Sequence, residues 1–329
     1  MNTRMAFLQR PEFSHCSPMT KFTVEPQQQP APKPYVLMTS AYNEEAYIQK
    51  TIHSVLAQTQ LPGRWVIVSD GSVDRTDEIV KSYARKHEFI RFLRNERSPG
   101  RSFRSKVIAL QSASKLLESV EFEFIGNLDA DVSVGPSYFE DLLACFNLDP
   151  KLGLAAGFVC EKKGEYYESR TINRIHSVAH AAQLVRRECY EAIGGYAALE
   201  HGSEDWHAQV SARMSGWKAR AFPELQILHH RPTGSADHLL RSRFREGRSD
   251  YDFGSDPFFE ALKCFQRLPE SPFIIGGIAR FAGFTWSYVR RAERPVRPEV
   301  VAFVRSEQRQ RLLSVFKSFG KPSKSRLSQ

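Results

Sequence analysis

Asp129 and Asp131 stand two residues apart at the end of an apolar run, in the stretch FIGNLDADVSVG (124–135). In extended backbone, side chains two apart project to the same side, so the pair offers carboxylate oxygens from one face. Unpaired carboxylates are costly to bury. A hard divalent cation takes one or two carboxylates and completes its shell with phosphate oxygens. A solvated turn is the alternative reading of so short a motif. Two other apolar runs, however, end in similar polar loops, TSAYNEE (39–45) and SDGSVD (69–74). Asp70 precedes Gly71, which permits a tight turn, and its carboxylate suits a base or a ribose; turn capping is the alternative. The first loop offers backbone amides, hydroxyls and Glu44 or Glu45 near a helix start, with capping again the alternative.

Three later stretches carry further candidates. SEDWHAQVSARMSGW places Glu204 and Asp205 at a helix start, where the dipole favours charged carboxylates. Any raised pKa useful to a general base must therefore come from burial or from the acceptor. His229 and His230, before Arg231 and Pro232, are either metal ligands or surface histidines, and imidazole suits Mn2+ better than Mg2+. RSPGRSFRSKVIAL carries Arg101, Arg104 and Lys106, which either reach a diphosphate or form a solvated face.

The elements that must position these residues alternate. YVLM (35–38), WVIVS (65–69), FIRFL (89–93), FEFIGNL (122–128) and GLAAGFV (153–159) read as strands. Between them, Ile48, Ile52, Val55 and Leu56 fall on one helical face, Asp74 starts a helix burying Ile79, Val80 and Tyr83, and 105–118 is a helix with Val107, Leu110 and Leu117 inward. Pro136 opens a helix burying Phe139, Leu142, Leu143 and Phe146. Strand–helix alternation implies an α/β fold with a mostly parallel sheet flanked by helices. Ligands of such sheets sit beyond the carboxyl ends of the strands, where all three polar loops fall.

Together these pieces resemble the inverting glycosyltransferases of family 2, which have the GT-A fold. The stretches carrying the resemblance are TSAYNEEAYIQKTIHSVLAQ, VIVSDGSVDRTDEIV, FIGNLDADVSV, RRECYEAIGGY, HGSEDWHAQVSARMSGWKA and ILHHRP. They span roughly 35–235. The resemblance implies a Rossmann-type mixed sheet, and a nucleotide-sugar (UDP- or GDP-linked) held by Thr39, Ala41, Tyr42, Asn43, Glu44, Asp70, Lys106, Asp129 and Ala130. It further implies Mn2+ or Mg2+ on Asp129, Asp131 and His229 or His230, with Asp131 the more direct ligand. Asp205 would be the general base, and Glu204 and Trp206 would meet a glycan or lipid-linked acceptor. Ser69 stands where many members have a second Asp, and the basic 97–110 stretch replaces a Gly-rich loop. The expected activity is sugar transfer in cell-surface or exopolysaccharide synthesis; the rivals are a nucleotidyltransferase of related fold and a non-catalytic binder of anionic surfaces.

The chain has 329 residues, a net charge of +9 and five scattered cysteines without a CxxC pair. Neither a zinc ribbon nor a disulfide framework is indicated, no apolar signal segment opens the chain, and the excess charge points to anionic partners. The expected setting is cytoplasmic, peripheral at the inner face of the plasma membrane, without a nucleic-acid partner. The expected divisions are a disordered leader (1–33), a glycosyltransferase domain (34–235, nucleotide half 34–131 and acceptor half 132–235), a helical, membrane-associated extension (236–319) and a disordered tail (320–329). In the extension Arg241, Arg243, Arg245 and Arg248 recur at near-helical spacing. SPFIIGGIARFAGFTWSYVRR (271–291) is the most apolar run. It reads as a buried hairpin of helices, as an interfacial segment edged by Trp286, Tyr288 and arginines, or as a spanning helix.

Overall fold

The computed structural model describes residues 35–96, 103–170, 173–200, 202–231, 236–270 and 272–319. The expected leader, the expected tail and Arg101 lie outside these.

Apolar runs with no polar face become strands covered on both sides. β1 (Tyr35–Ala41), β2 (Arg64–Asp70), β3 (Ile90–Asn95) and β4 (Phe124–Leu128) pair in parallel, in the order β3-β2-β1-β4. Their crossovers carry α1 (Ile48–Leu56), α2 (Thr76–Ala84) and α3 (Phe103–Leu117). Because the four strands run the same way, the loops after Ala41, Asp70 and Leu128 share one edge. α1 buries Ile48, Ile52 and Val55, as its spacing predicts. It begins only at Ile48, because residues 43–47 form the polar turn, with Asn43 at φ 52°.

The second half mixes directions. β5 (Val132–Val134), α4 (Tyr138–Leu148), β6 (Leu152–Lys163), β7 (Tyr166–Ser169), β8 (Ala182–Arg186), α5 (Arg187–Ala192), α6 (Glu204–Met214) and β9 (Lys218–His229) follow in the chain. The sheet continues β4-β8-β6-β9-β5, with β7 on the far part of β6. β8 is antiparallel to both β4 and β6, whereas β9 is parallel to β6. The parallel character read from the sequence thus belongs to the first half, and the sheet as a whole is mixed. Sequence reasoning finds β6 and misses β5, β7, β8 and β9. β9 matters most for the site, because it pairs His229 with Val132, one residue from Asp131.

The extension is helical as expected: α7 (Ala236–Asp252), α8 (Pro257–Gln266), α9 (Ile275–Val289) and α10 (Pro298–Phe319). α9 crosses α7 at glycines. A Cβ on Gly247 would lie 1.8 Å from the Arg280 carbonyl oxygen, and one on Gly283 would lie 2.0 Å from that of Phe244. α10 packs on α6 through a second core of Leu199, Val210, Phe253, Val296, Val300 and Val304. The hairpin reading of 271–291 is corrected, because Ile275–Val289 is one helix. The four described cysteines are free thiols, and among the described residues no helix is long and apolar enough to cross a membrane.

Candidate active site

The first two polar loops are stapled to each other. The amides of Asn43, Glu44 and Glu45 donate to the Ser72 hydroxyl, the Thr76 hydroxyl and the Asp74 carboxylate, at 3.2, 2.8 and 3.0 Å. In return, Val73 N–H donates to Asn43 Oδ1 at 2.9 Å. The third loop is held from α1, where the Thr51 hydroxyl lies 2.9 Å from Ala130 O and 2.7 Å from Val132 O, one donor shared between two carbonyls.

Asp131 and Glu44 meet across one guanidinium. Arg231 Nε donates to Asp131 Oδ2 at 3.0 Å, and its Nη2 donates to both Glu44 oxygens. Burial, with the Asp131 charge adding to it, pushes the Glu44 carboxyl up to about 7 against the opposing pull of Arg231. His229 Nδ1 lies 2.9 Å from the Arg231 carbonyl oxygen, so Nδ1 carries the proton and donates. Nε2 lies 3.6 Å from Asp131 Oδ2; a second group orienting a ligating imidazole through its other nitrogen is usual in metal sites.

Asp129 belongs to a different group. Its Oδ1 accepts from Lys106 Nζ at 2.7 Å and from Asn127 Nδ2 at 2.9 Å. Lys106 also lies 4.0 Å from Glu204 Oε1. Burial works against the Lys106 ammonium, but Asp129 and Glu204 outweigh it and hold the group charged, its pKa above the usual lysine range. Glu204 is itself buried. His180, with Nδ1 3.5 Å from Oε1, and Lys106 overcome the burial and pull the Glu204 carboxyl down to about 2. Asp205 goes the other way: burial and the charge of Glu204 raise it. Trp206 N–H donates to Asp205 Oδ1 at 2.7 Å.

These placements change several expectations. The four expected metal ligands do not assemble as one set, and among the described residues no three His, Cys, Asp or Glu side chains form a metal-holding group. Asp129 is taken by Lys106. His230 Nδ1 is engaged by the Tyr167 hydroxyl at 2.6 Å and its ring stacks on Tyr47; its Nε2 finds no partner among the described residues, but it is the His229 ring that lies beside the Asp131 carboxylate. Burial keeps His230 neutral by lowering its pKa. Asp131 and His229 remain, a carboxylate oxygen and an imidazole lone pair that fit two positions of a divalent cation whose other ligands are phosphate oxygens. Thr39 has no surface to offer a nucleoside. It is fully buried, donating to Leu128 O at 2.7 Å and accepting from Trp65 Nε1 at 2.9 Å, and so ties β1 to β4 and β2. Ala41 and Ala130 are likewise buried. Trp206 packs edge-on against Phe253 of the extension, ring centres 4.4 Å apart, so its ring joins α6 to that core where acceptor contact was expected. Ser203 does not cap α6. It sits at φ 69° and accepts from the Ser249 hydroxyl at 2.8 Å. Asp70 is buried at the end of β2, and burial raises its pKa.

Two participants escape the sequence reading. Arg231 stands beside the histidines and is overlooked, although carboxylates at a buried strand end require a cation nearby. His180, edge-on to Tyr196 at 4.4 Å, gives no signal, because only the unread β8 brings it to α6.

Comparison with known proteins adds to this geometry. The family model described as glycosyl transferase family 2 matches residues 37–203, just over half of the chain. The chain belongs to that family. An uncharacterized glycosyltransferase of Methanocaldococcus jannaschii is 33% identical over 236 residues, covering 67% of this chain and 78% of its own. A poly-beta-1,6-N-acetyl-D-glucosamine synthase of Staphylococcus epidermidis is 27% identical over 120 residues, 36% of this chain and 27% of the synthase. The chain therefore spans about a quarter of that synthase. Among solved structures, GalNAc-T7 with UDP, GalNAc and Mn2+ has a TM-score of 0.52 at 17% identity, covering 81% of this chain and 59% of that one. A Pyrobaculum calidifontis mannosyltransferase with GDP-Man and Mn2+ has a TM-score of 0.50 at 15% identity, covering 87% and 83%. This family 2 chain thus shares the mixed, helix-flanked sheet of solved glycosyltransferases.

Proposed function

We propose that this chain is a metal-dependent, inverting glycosyltransferase. It moves a sugar from a UDP- or GDP-linked donor to a hydroxyl of a glycan or lipid-linked acceptor, in the synthesis of a polysaccharide. The observation that carries the reading is the pair at the start of α6. Glu204 is held charged near 2 while Asp205 beside it is raised. Carboxylates whose environments push their pKa values apart are the arrangement by which one exchanges a proton and the other stays ionised.

In the proposed step, the acceptor hydroxyl loses its proton to an Asp205 oxygen as the hydroxyl oxygen attacks the anomeric carbon. The bond from that carbon to the diphosphate breaks on the opposite face, which inverts the configuration. Asp131 and His229 would hold a divalent cation, which when bound offsets the charge on the departing diphosphate. Lys106 keeps Asp129 and Glu204 in place between the donor loops and α6. Asp70 and the 42–45 loop line the edge where the nucleoside would lie. The Mn2+ in both solved structures, the GDP-Man of one and the UDP and GalNAc of the other, and the glycan named for the staphylococcal synthase support the donor, metal and product classes.

The test incubates the protein with UDP-GlcNAc or GDP-Man, an oligosaccharide acceptor, and either Mn2+ or EDTA. The expected outcome is extension of the acceptor with release of nucleoside diphosphate, abolished by EDTA. Release of pyrophosphate from a nucleoside triphosphate and a sugar phosphate would replace the reading with nucleotidyl transfer. Binding without turnover of any donor would replace it with a binding protein.

A further inference from the structure

α9 is mounted inside out. Its buried face is made of Gly276, Gly277, Arg280, Gly283, Phe284 and Ser287, so the helix turns its one charged side chain inward. The opposite face carries Ile275, Ile278, Trp286 and Val289, at i, i+3, i+11 and i+14, which is one stripe of a 3.6-residue helix. All four are exposed: Ile275 57%, Ile278 58%, Trp286 49% and Val289 74%. Helices of soluble chains put such a stripe against a core; an exposed one marks an interaction surface.

Two features fix that orientation. Arg280 Nη2 and Nε bond Asp250 at 2.7 and 2.8 Å, and Nη1 pairs with Glu246, both on α7. The α7–α9 crossing is closed by Gly247 and Gly283, each too close to the other helix's backbone to tolerate a Cβ. Turning the apolar stripe inward would break the Arg280 pairs and drive side chains into that seam. The entry to α9 is strained in the same outward sense. Ile274 is β-branched yet sits at φ 61°, a conformation that costs energy and persists where surroundings impose it. It leaves Phe273 70% and Ile274 58% exposed at the tip.

We propose that this stripe and the Phe273–Ile275 tip dock on an anionic lipid bilayer, with α9 lying in the interface. Charge selects this occupant. The chain carries +9 overall, and the far end of α9 runs into exposed Arg290, Arg291 and Arg297, with Glu293 and Glu299 the exposed acids among them. The Arg290 guanidinium lies 4.0 Å over the Trp286 ring. A Trp at headgroup depth with arginines beside it is the pattern of an interfacial helix, and basic residues near a negative bilayer surface add attraction. α9, at 15 residues, is too short to span.

Docking needs no donor, so it stands or falls separately from sugar transfer. The full chain is sedimented with vesicles of phosphatidylcholine alone or mixed with phosphatidylglycerol, at low and high salt, while Trp emission is followed. The expected result is at least tenfold more binding to the anionic vesicles, weakened by salt, with a blue shift that Trp286→Phe diminishes. Ile278→Glu should lose at least tenfold of the binding; circular dichroism and donor affinity identical to wild type show that the variant is folded. Ile278→Leu should retain it. Protein that stays in the supernatant with anionic vesicles at low salt overturns the proposal. So does equal binding by Ile278→Glu, or a concentration-dependent dimer that Ile278→Glu dissociates, which would make a second copy the occupant.

Discussion

At the sheet edge, Glu44, Asp129, Asp131, Glu204 and Asp205 share Arg231 and Lys106 as their closely paired cations. Between α7, α8 and α9, Glu246, Asp250 and Glu260 share Arg243, Arg280 and Lys263. In the second group burial and the Asp250 charge push the Glu260 carboxyl up, while Lys263 and Arg280 overcome burial to pull Asp250 down. Arg243 adds a third cation 3.1 Å from Glu246, so each of the three carboxylates has a cation against it and the cluster is complete in itself. The first group has carboxylates left over, and burial, with the neighbouring carboxylate charge adding to it, raises Glu44 and Asp205. The same residue types thus make a strut where charge balances, and a place for a cation and a proton where it does not.

The sharpest break of this contrast is Asp205→Asn. It keeps shape and removes basicity, so turnover should fall roughly 10²–10⁴-fold, the range for a general base, with donor affinity nearly unchanged. A raised carboxylate pKa means that keeping the group ionised at neutral pH destabilises the folded state. Asp205→Asn should therefore melt no lower than wild type. Transfer within threefold of wild type with normal donor binding would show that Asp205 is not the base.

Arg280→Met tests the other side. It takes one cation from Asp250 and Glu246, which keep Lys263 and Arg243, so the loss should stay below the about 3–5 kcal/mol of a fully broken buried pair. Thermal denaturation should show that loss, while turnover per folded molecule stays near wild type. A selective loss of turnover would mean that the strut reaches the chemistry.

Glu204→Gln should have the smallest effect. Its folded pKa lies below its unfolded value, so its contribution to stability is fully present above about 4.5 and is lost as pH falls toward about 2. A shift of that size corresponds to on the order of 3 kcal/mol at most. Lys106 shares the same interactions, so the two contributions do not add. Denaturant unfolding of the variant should show lower stability at neutral pH and a flatter decline with acid. An unchanged acid decline would place the titrating carboxylate elsewhere.

The parallel half of the fold is legible because FIGNL, WVIVS and YVLM are apolar but for Asn127 and Ser69 near their ends, which leaves a doubly covered strand as the economical reading. β9 is not legible: KARAFPELQILH carries a proline and three charges, and it holds its place through pairing with β6 and β5. The loops that carry the site can be found, because polar residues after apolar strands announce a ligand edge. Which atoms face one another cannot. Asp129 and Asp131 project the same way in an extended chain, yet they take different partners, because Lys106 arrives on α3 and Arg231 follows β9. Thr39 reads as a ligand residue for the same reason: a hydroxyl at a strand end looks identical whether it meets a nucleoside or a neighbouring carbonyl.

Ser203 enters α6 in a left-handed conformation, one residue before Glu204, and accepts its hydrogen bond from Ser249 of α7. Phe253, just beyond α7, closes on Trp206. The turn that aims Asp205 is therefore built from residues on both sides of position 235. A chain truncated there, at the limit of family resemblance, would keep every expected site residue and remove the support of the turn. A chimera that exchanges extensions between relatives should move α6 together with α7–α10, treating Asp205, the proposed base, as cargo of the C-terminal module.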